Sequence, residues 1–99
     1  MAKQVVWTKQ GLKKYGEIIN WLQEETSAET VLKFDKKVKE HLLRLSHFPG
    51  LGRISKRHKA IRSIKVDKHR RAYYRISGNR LFVVYFFDTR QDSSKNLYG

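Results

Sequence analysis

The side chains in this chain best able to do chemistry are cations, and they are concentrated. Residues 53–80 hold eleven Lys and Arg against a single acid, Asp67, whereas residues 1–48 hold nine against six. The 99 residues together carry a formal net charge of +13. A basic surface on one side of a domain neutralises phosphates and releases their counterions, which gives salt-dependent affinity for nucleic acid. The same surface would meet an acidic protein, or simply keep the chain soluble. Within the basic half, Lys56, Arg57, His58, Arg62 and Arg75 are candidate phosphate or RNA contacts. Tyr73 shares a strand face with Arg71 and Arg75 and would offer a ring for base stacking. His58 and His69 sit among cations that depress an imidazole pKa, so either is a candidate general base near neutral pH.

Each of these residues also has an ordinary structural reading. Arg71 and Arg75 alternate with apolar residues, as charges on an exposed strand face do. Arg90, followed by Asp92, would tie down the C-terminus as an ion pair. Lys65 reads as a solvated strand residue, and Tyr73, Tyr74 and Tyr85 as sheet packing.

Other chemistries are missing from the sequence. There is no cysteine, hence no disulfide and no thiolate metal site. His41 and His47 are six apart, which is not the helical spacing of a metal-ligand pair. No Gly-rich phosphate loop follows a strand, no G-x-S-x-G occurs, and no carboxylate pair lies in the basic segment. Gly50-Leu51-Gly52-Arg53 is a turn. No metal or cofactor is expected. The N-terminus has no signal-peptide pattern, and the longest apolar run, Leu81–Phe87, is of strand length. A soluble cytoplasmic protein with no membrane partner is the expectation.

The elements that must position these groups follow from periodicity. Lys3–Trp7 reads as a short strand. Thr8 caps a helix from Lys9 to about Glu25, whose apolar face is Leu12, Tyr15, Ile18/Ile19 and Leu22, with Trp21 off the stripe. Gly11 and Gly16 lower its intrinsic helicity. Ser27 caps a second helix to about Ser46, with Val31, Phe34, Val38, Leu42 and Leu45 as its stripe. The break between them is short, so the two form an antiparallel hairpin. Phe48-Pro49-Gly50-Leu51-Gly52-Arg53 ends it, and Lys56–Lys59 forms a mobile basic approach to the sheet.

Three strands follow: Ile61–Val66, Arg71–Ile76 and Arg80–Asp88, the last two joined through Ser77-Gly78-Asn79, a hairpin signal. Leu81–Phe87 has no polar face, so that strand lies centrally and needs cover on both sides. The helices supply one cover, and a partner is the candidate for the other. Residues 89–99 form a polar tail with one aromatic, Tyr98, able to dock. The expectation is one α+β domain over residues 1–99, in the order β-α-α-β-β-β, with the helical hairpin packed on one face of a small, largely antiparallel sheet.

The helix pair, FPGLGR, IRSIKV, RRAYYRI, the Gly-Asn turn and LFVVYFFDTRQD, in that order over residues 3–92, resemble the RelE/ParE superfamily of bacterial toxins. The resemblance implies the toxin of a type II toxin–antitoxin pair, bound as a hetero-oligomer by an antitoxin that wraps and silences it. One branch, RelE-like, cleaves mRNA on the ribosome; the other, ParE-like, inhibits DNA gyrase without nuclease chemistry. Cleavage by 2′-OH attack needs a base, an acid and cations for the phosphorane-like charge. The family's arginine at the start of the penultimate strand falls on Arg71, and the one just past the last strand on Arg90. The strand lysine falls near Lys65, and His69 stands near enough to act as base. Tyr98 lies farther past Arg90 than the family's tail tyrosine. A ribosome-dependent endoribonuclease is the leading expectation, with a gyrase inhibitor and a non-toxic nucleic-acid-binding module as alternatives.

Overall fold

The computed structural model describes residues 2–99. Strand β1 (Gln4–Trp7) leads into helix α1 (Lys9–Glu25) and helix α2 (Ala28–His47). A 3₁₀ turn (Pro49–Leu51) and four strands follow: β2 (Arg53–Ile54), β3 (Arg62–Lys65), β4 (Arg70–Ser77) and β5 (Arg80–Asp88). A second 3₁₀ turn (Ser93–Lys95) lies in the tail. The sheet order is β1-β5-β4-β3-β2, antiparallel throughout except that β1 runs parallel to β5. This is the expected α+β architecture, with one strand more than the periodicity predicts. β2 is two residues long, too short to leave a pattern.

Both helix caps form as their residue types dictate. Thr8 Oγ1 accepts from Gly11 N (3.0 Å) and donates to the Val83 carbonyl (3.0 Å), so the cap also fastens α1 to β5. Ser27 Oγ accepts from Thr30 N (3.2 Å). The apolar face of α2 is buried as expected at Phe34, Val38, Leu42 and Leu45. On α1 the stripe is rotated. Leu12, expected inside, is exposed, and Gly11 is the buried residue of that turn. The reason is the close approach of α1 to β5: a Cβ on Gly11 would overlap the Val83 carbonyl oxygen.

Two apolar clusters sandwich the sheet. On the helix side, Trp7, Tyr15, Phe34 and Phe86 form an aromatic cluster, with Trp7 and Phe86 stacked at 5.7 Å. Burial, and then the hydrogen bond its hydroxyl donates to Asp35, raise the Tyr15 phenol well above its ordinary pKa. On the opposite side, Ile61, Tyr73, Val84, Tyr85 and Phe87 are buried. Strict alternation would put Tyr85 and Phe87 on the same face as Leu81. A β-bulge intervenes: Tyr73 pairs with Tyr85 but Tyr74 pairs with Val83, leaving Val84 extra. Beyond it the parity inverts, so Phe86 joins the helix side while Tyr85 and Phe87 face away.

The second cover of β5 is the chain's own tail, which corrects the expectation of a partner there. Tyr98 lies on the rings of Tyr73 (5.7 Å) and Tyr85 (5.4 Å). Buried Asn96 donates from Nδ2 to the Tyr73 hydroxyl (2.8 Å). Ser55 Oγ donates to the Tyr98 carbonyl, and Arg57 Nη1 donates to the Asn96 carbonyl (2.9 Å). The Lys56–Lys59 approach is therefore tied to the tail rather than free. The β4–β5 turn uses a positive φ at Gly78 alone, as a type II′ hairpin requires, and Asn79 keeps a negative one.

The two glycines of α1 give opposite expectations for one substitution. Gly11→Ala drives a methyl into backbone and should destabilise the fold by ~1–3 kcal/mol. Gly16 has open space around it, so Gly16→Ala should stabilise by ~0.5–1 kcal/mol through helix propensity. Urea unfolding of the two variants checks the pair, and equal shifts would contradict the packing.

Candidate functional site

Cross-strand register decides which cations meet. Arg53, Ser63 and Tyr73 are direct partners across β2, β3 and β4, as are Lys65, Arg71 and Phe87 across β3, β4 and β5. Arg53, Lys65, Arg71 and Arg75 thus share the face turned away from the helices. They ring the Tyr73–Tyr85–Tyr98 cluster, whose aromatic surface the tail closes. Arg71 is half-buried, its Nε donating to Ser63 Oγ (3.1 Å) and its Nη2 to the Ser63 carbonyl (3.3 Å). Burial, and then the neighbouring Arg53, lower its pKa from the ordinary guanidinium value. Arg75 lies over the Phe82 ring at 4.2 Å. It is four residues from Arg71, ~13 Å along the strand. Lys65 is exposed.

Tyr73 does not serve as a stacking platform. It is 1% exposed, covered by Tyr98 and hydrogen-bonded to Asn96. Arg62 points to the helix-side edge, where Nη1 donates to the carbonyls of Gly50 (3.2 Å) and Gly52 (2.7 Å). It shapes the turn after α2, together with the Tyr74 hydroxyl, which donates to the Pro49 carbonyl (2.6 Å) and accepts from Gly52 N (2.9 Å). Lys56, Arg57 and His58 are exposed beside the tail, with the His58 ring edge-on to Tyr98 at 6.2 Å. They extend the basic rim.

Arg90 and His69 stand at the same end of the sheet as Arg71, but Arg90 turns toward the helices. Its Nε donates to Asp88 Oδ1 (3.0 Å) and its Nη2 to Asp88 Oδ2 (2.6 Å), a bidentate pair. Its guanidinium lies 5.9 Å from the centre of the Trp21 ring on α1. The ion pair expected with Asp92 is made with Asp88 instead, and Asp92 caps the tail 3₁₀ turn through Ser94 N (3.0 Å). His69 lies in the β3–β4 turn, where Asp67 Oδ1 accepts its N–H and its carbonyl accepts from Thr89 Oγ1 (3.0 Å). The four residues proposed for cleavage are thus divided between two faces.

Sequence reasoning missed Arg70. It is 8% exposed, with Nη1 on Asp67 Oδ2 (3.1 Å), Nη2 4.0 Å from Asp88 Oδ2, and its guanidinium between the rings of Trp21 and Phe34. The signal was available: Arg70 has the inward parity of Ala72 and Tyr74, so extending β4 by one residue places a charge on the apolar face. Asn96 carried no such signal. Among the described residues no group of three or more His, Asp or Glu could hold a metal ion, and no helix is long and apolar enough to cross a membrane.

A helical hairpin packed on one face of a small sheet is a fold this chain shares with proteins of known structure. The chain is similar to the chromosomal ParDE toxin–antitoxin system of P. aeruginosa (TM-score 0.74, 18% identity, covering 88% of this chain and 96% of that one). It is also similar to the YoeB/ParE toxin from Agrobacterium tumefaciens (TM-score 0.60, 20% identity, covering 86% and 97%). No curated protein matches in sequence. The family model of the ParE toxin of the type II toxin–antitoxin system parDE matches residues 5–93. The chain belongs to that family, and membership implies a cognate antitoxin as its partner.

The Asp88 carboxylate is held below its ordinary pKa, chiefly by the Arg90 hydrogen bond. A depressed carboxylate contributes stability that is present above its unfolded pKa, ~3.9, and is lost as pH falls through the folded value. Asp88→Asn should therefore lower stability at neutral pH and flatten the loss below about pH 4. Denaturant midpoints measured at neutral and acid pH would show it, and parallel curves would refute it.

Proposed function

We propose that this toxin acts by binding rather than by cutting RNA, as an inhibitor of DNA gyrase of the ParE-like kind. One observation carries the reading: the two arginines that RNA cleavage would need stand on different faces of the sheet. Arg71 is bonded to Ser63 and Arg90 is paired with Asp88. A transition-state clamp works when preorganised donors aim at one developing charge. Here the donors diverge, and the ring best placed to hold a base, Tyr73, is buried. What remains on the face away from the helices is a rim of cations, Arg53, Lys65 and Arg75 with Lys56 and Arg57, and the His58 ring beside them. Such a rim recruits a polyanionic or acidic target and sets its association rate.

Expression without a partner should arrest growth, and co-expression of the cognate antitoxin should relieve it. Purified toxin should block DNA supercoiling by gyrase, while primer extension on translated mRNA shows no new 5′ ends. Reversing two rim charges, Lys65→Glu with Arg75→Glu, should weaken inhibition by roughly tenfold, more at low salt than at high. Ribosome-dependent 5′ ends that vanish in Arg71→Ala or Arg90→Ala would instead establish the ribonuclease. Harmless expression with salt-sensitive binding to a nucleic-acid probe would establish a passive binding module.

A further inference from the structure

At the end of the sheet, Arg90, Asp88, Arg70 and Asp67 form a chain of alternating charge that runs inward from the surface to Arg70 and back out to Asp67. Their side chains are 48%, 18%, 9% and 21% exposed respectively. Asp88 lies between the two arginines: Oδ2 is 2.6 Å from Arg90 Nη2 and 4.0 Å from Arg70 Nη2. Arg70 makes one side-chain hydrogen bond, through Nη1 to Asp67. Its Nη2 edge is open toward Asp88, and a small rotation of the carboxylate would close that gap. Arg90 can therefore leave Asp88 without stranding it, because a second guanidinium stands ready to take the same oxygen. Asp88, with 18% of its side chain exposed, would otherwise be left at a cost as an unpaired, partly shielded charge. This arrangement avoids that penalty.

Arg90 borders a niche that Glu17, Ile18, Trp21, Arg70 and Asp88 also line. Trp21 is 46% exposed, an unusual exposure for the largest apolar side chain, with a guanidinium 5.9 Å from its ring centre. An exposed Trp beside an Arg is the composition of an interface hot spot. We propose that this niche is a docking site for a carboxylate on an acidic protein segment, in which Arg90 exchanges Asp88 for the incoming carboxylate while Arg70 takes over Asp88. Trp21 and Ile18 then receive the apolar residue beside that carboxylate. The occupant is protein and not nucleic acid, because the Glu17 and Asp88 carboxylates line the niche and repel the closely spaced charges of a phosphodiester chain. The net charge of +13 attracts an acidic segment to the molecule as a whole. The site lies on the helix side, apart from the cationic rim, and does not depend on which target the toxin inhibits.

The test uses the full-length, isotope-labelled chain and four probes followed by NMR at the Trp21 indole N–H and the Arg90 Nε–H. The probes are the capped peptide Leu-Glu-Leu-Leu, its Gln twin, inorganic phosphate, and a short single-stranded oligonucleotide. The Trp7 indole, stacked on Phe86 in the core, is the internal control. The Glu peptide should move both reporters and leave Trp7 still, and the Gln twin should bind at least about tenfold more weakly, the loss of one charge-assisted hydrogen bond. Arg90→Gln should abolish the response, and Arg90→Lys should keep part of it. Asp88→Asn, by removing the competing carboxylate, should tighten peptide binding several-fold even though it weakens the fold, an effect that a purely structural Asp88 would not produce. Equal binding of the Glu and Gln peptides would overturn the proposal, as would a niche that prefers phosphate or the oligonucleotide. So would weaker binding by a folded Asp88→Asn. Should that variant not fold, Arg90→Gln and Arg90→Lys decide, and indistinguishable responses from them reject the exchange.

Discussion

β5 runs through the sheet between β1 and β4, and from Leu81 to Phe87 it carries no charged side chain. Each face of such a strand must be kept from water, since every large side chain left bare forfeits ~1.5–3 kcal/mol of transfer free energy. The rest of the molecule answers that constraint. The helical hairpin covers Leu81, Val83 and Phe86, and the Val84 bulge turns Phe86 toward it. The same bulge sends Tyr85 and Phe87 to the other side, where there is no helix. A tail of a few residues covers that side with one aromatic ring and one amide.

Covering the second face from within has an electrostatic result. The middle of that face is aromatic and closed, so the cations of β3 and β4 are displaced to its margin, where they keep their hydration. Arg71, the one nearest the centre, is half-buried and bonded to Ser63. On the helix side the one buried arginine is matched by two aspartates and two aromatic rings, as an interior guanidinium must be.

Much of the fold could be read from residue order. Thr8 and Ser27 declare the helix starts, Pro49 and the glycines after it the end of the hairpin, and Gly78 the β-turn. Local rules fail where tertiary contacts decide. Leu12 has helical spacing for the core, yet Gly11 takes that place because α1 approaches the β5 backbone too closely for a side chain. Alternation assigns Tyr85 and Phe87 wrongly, since a bulge inserts a residue without a signal in an all-apolar run. The candidate site was legible as a set of residue types and not as an arrangement. Nothing local shows that Tyr73 will lie under Tyr98, twenty-five positions away in sequence, or that Arg90 will choose Asp88 over Asp92.

The parallel pairing of β1 with β5 joins the first strand made to the last. A ribosome emits the chain from the N-terminus at ~5–20 residues per second, so β1 and the hairpin wait, without their central strand, until nearly the whole polypeptide is out. Long-range closure of this kind slows folding, because loop entropy must be overcome before any contact rewards it. The helical hairpin can form from local contacts as it emerges, but the sheet on which it packs is completed only by the most distant pairing in the chain.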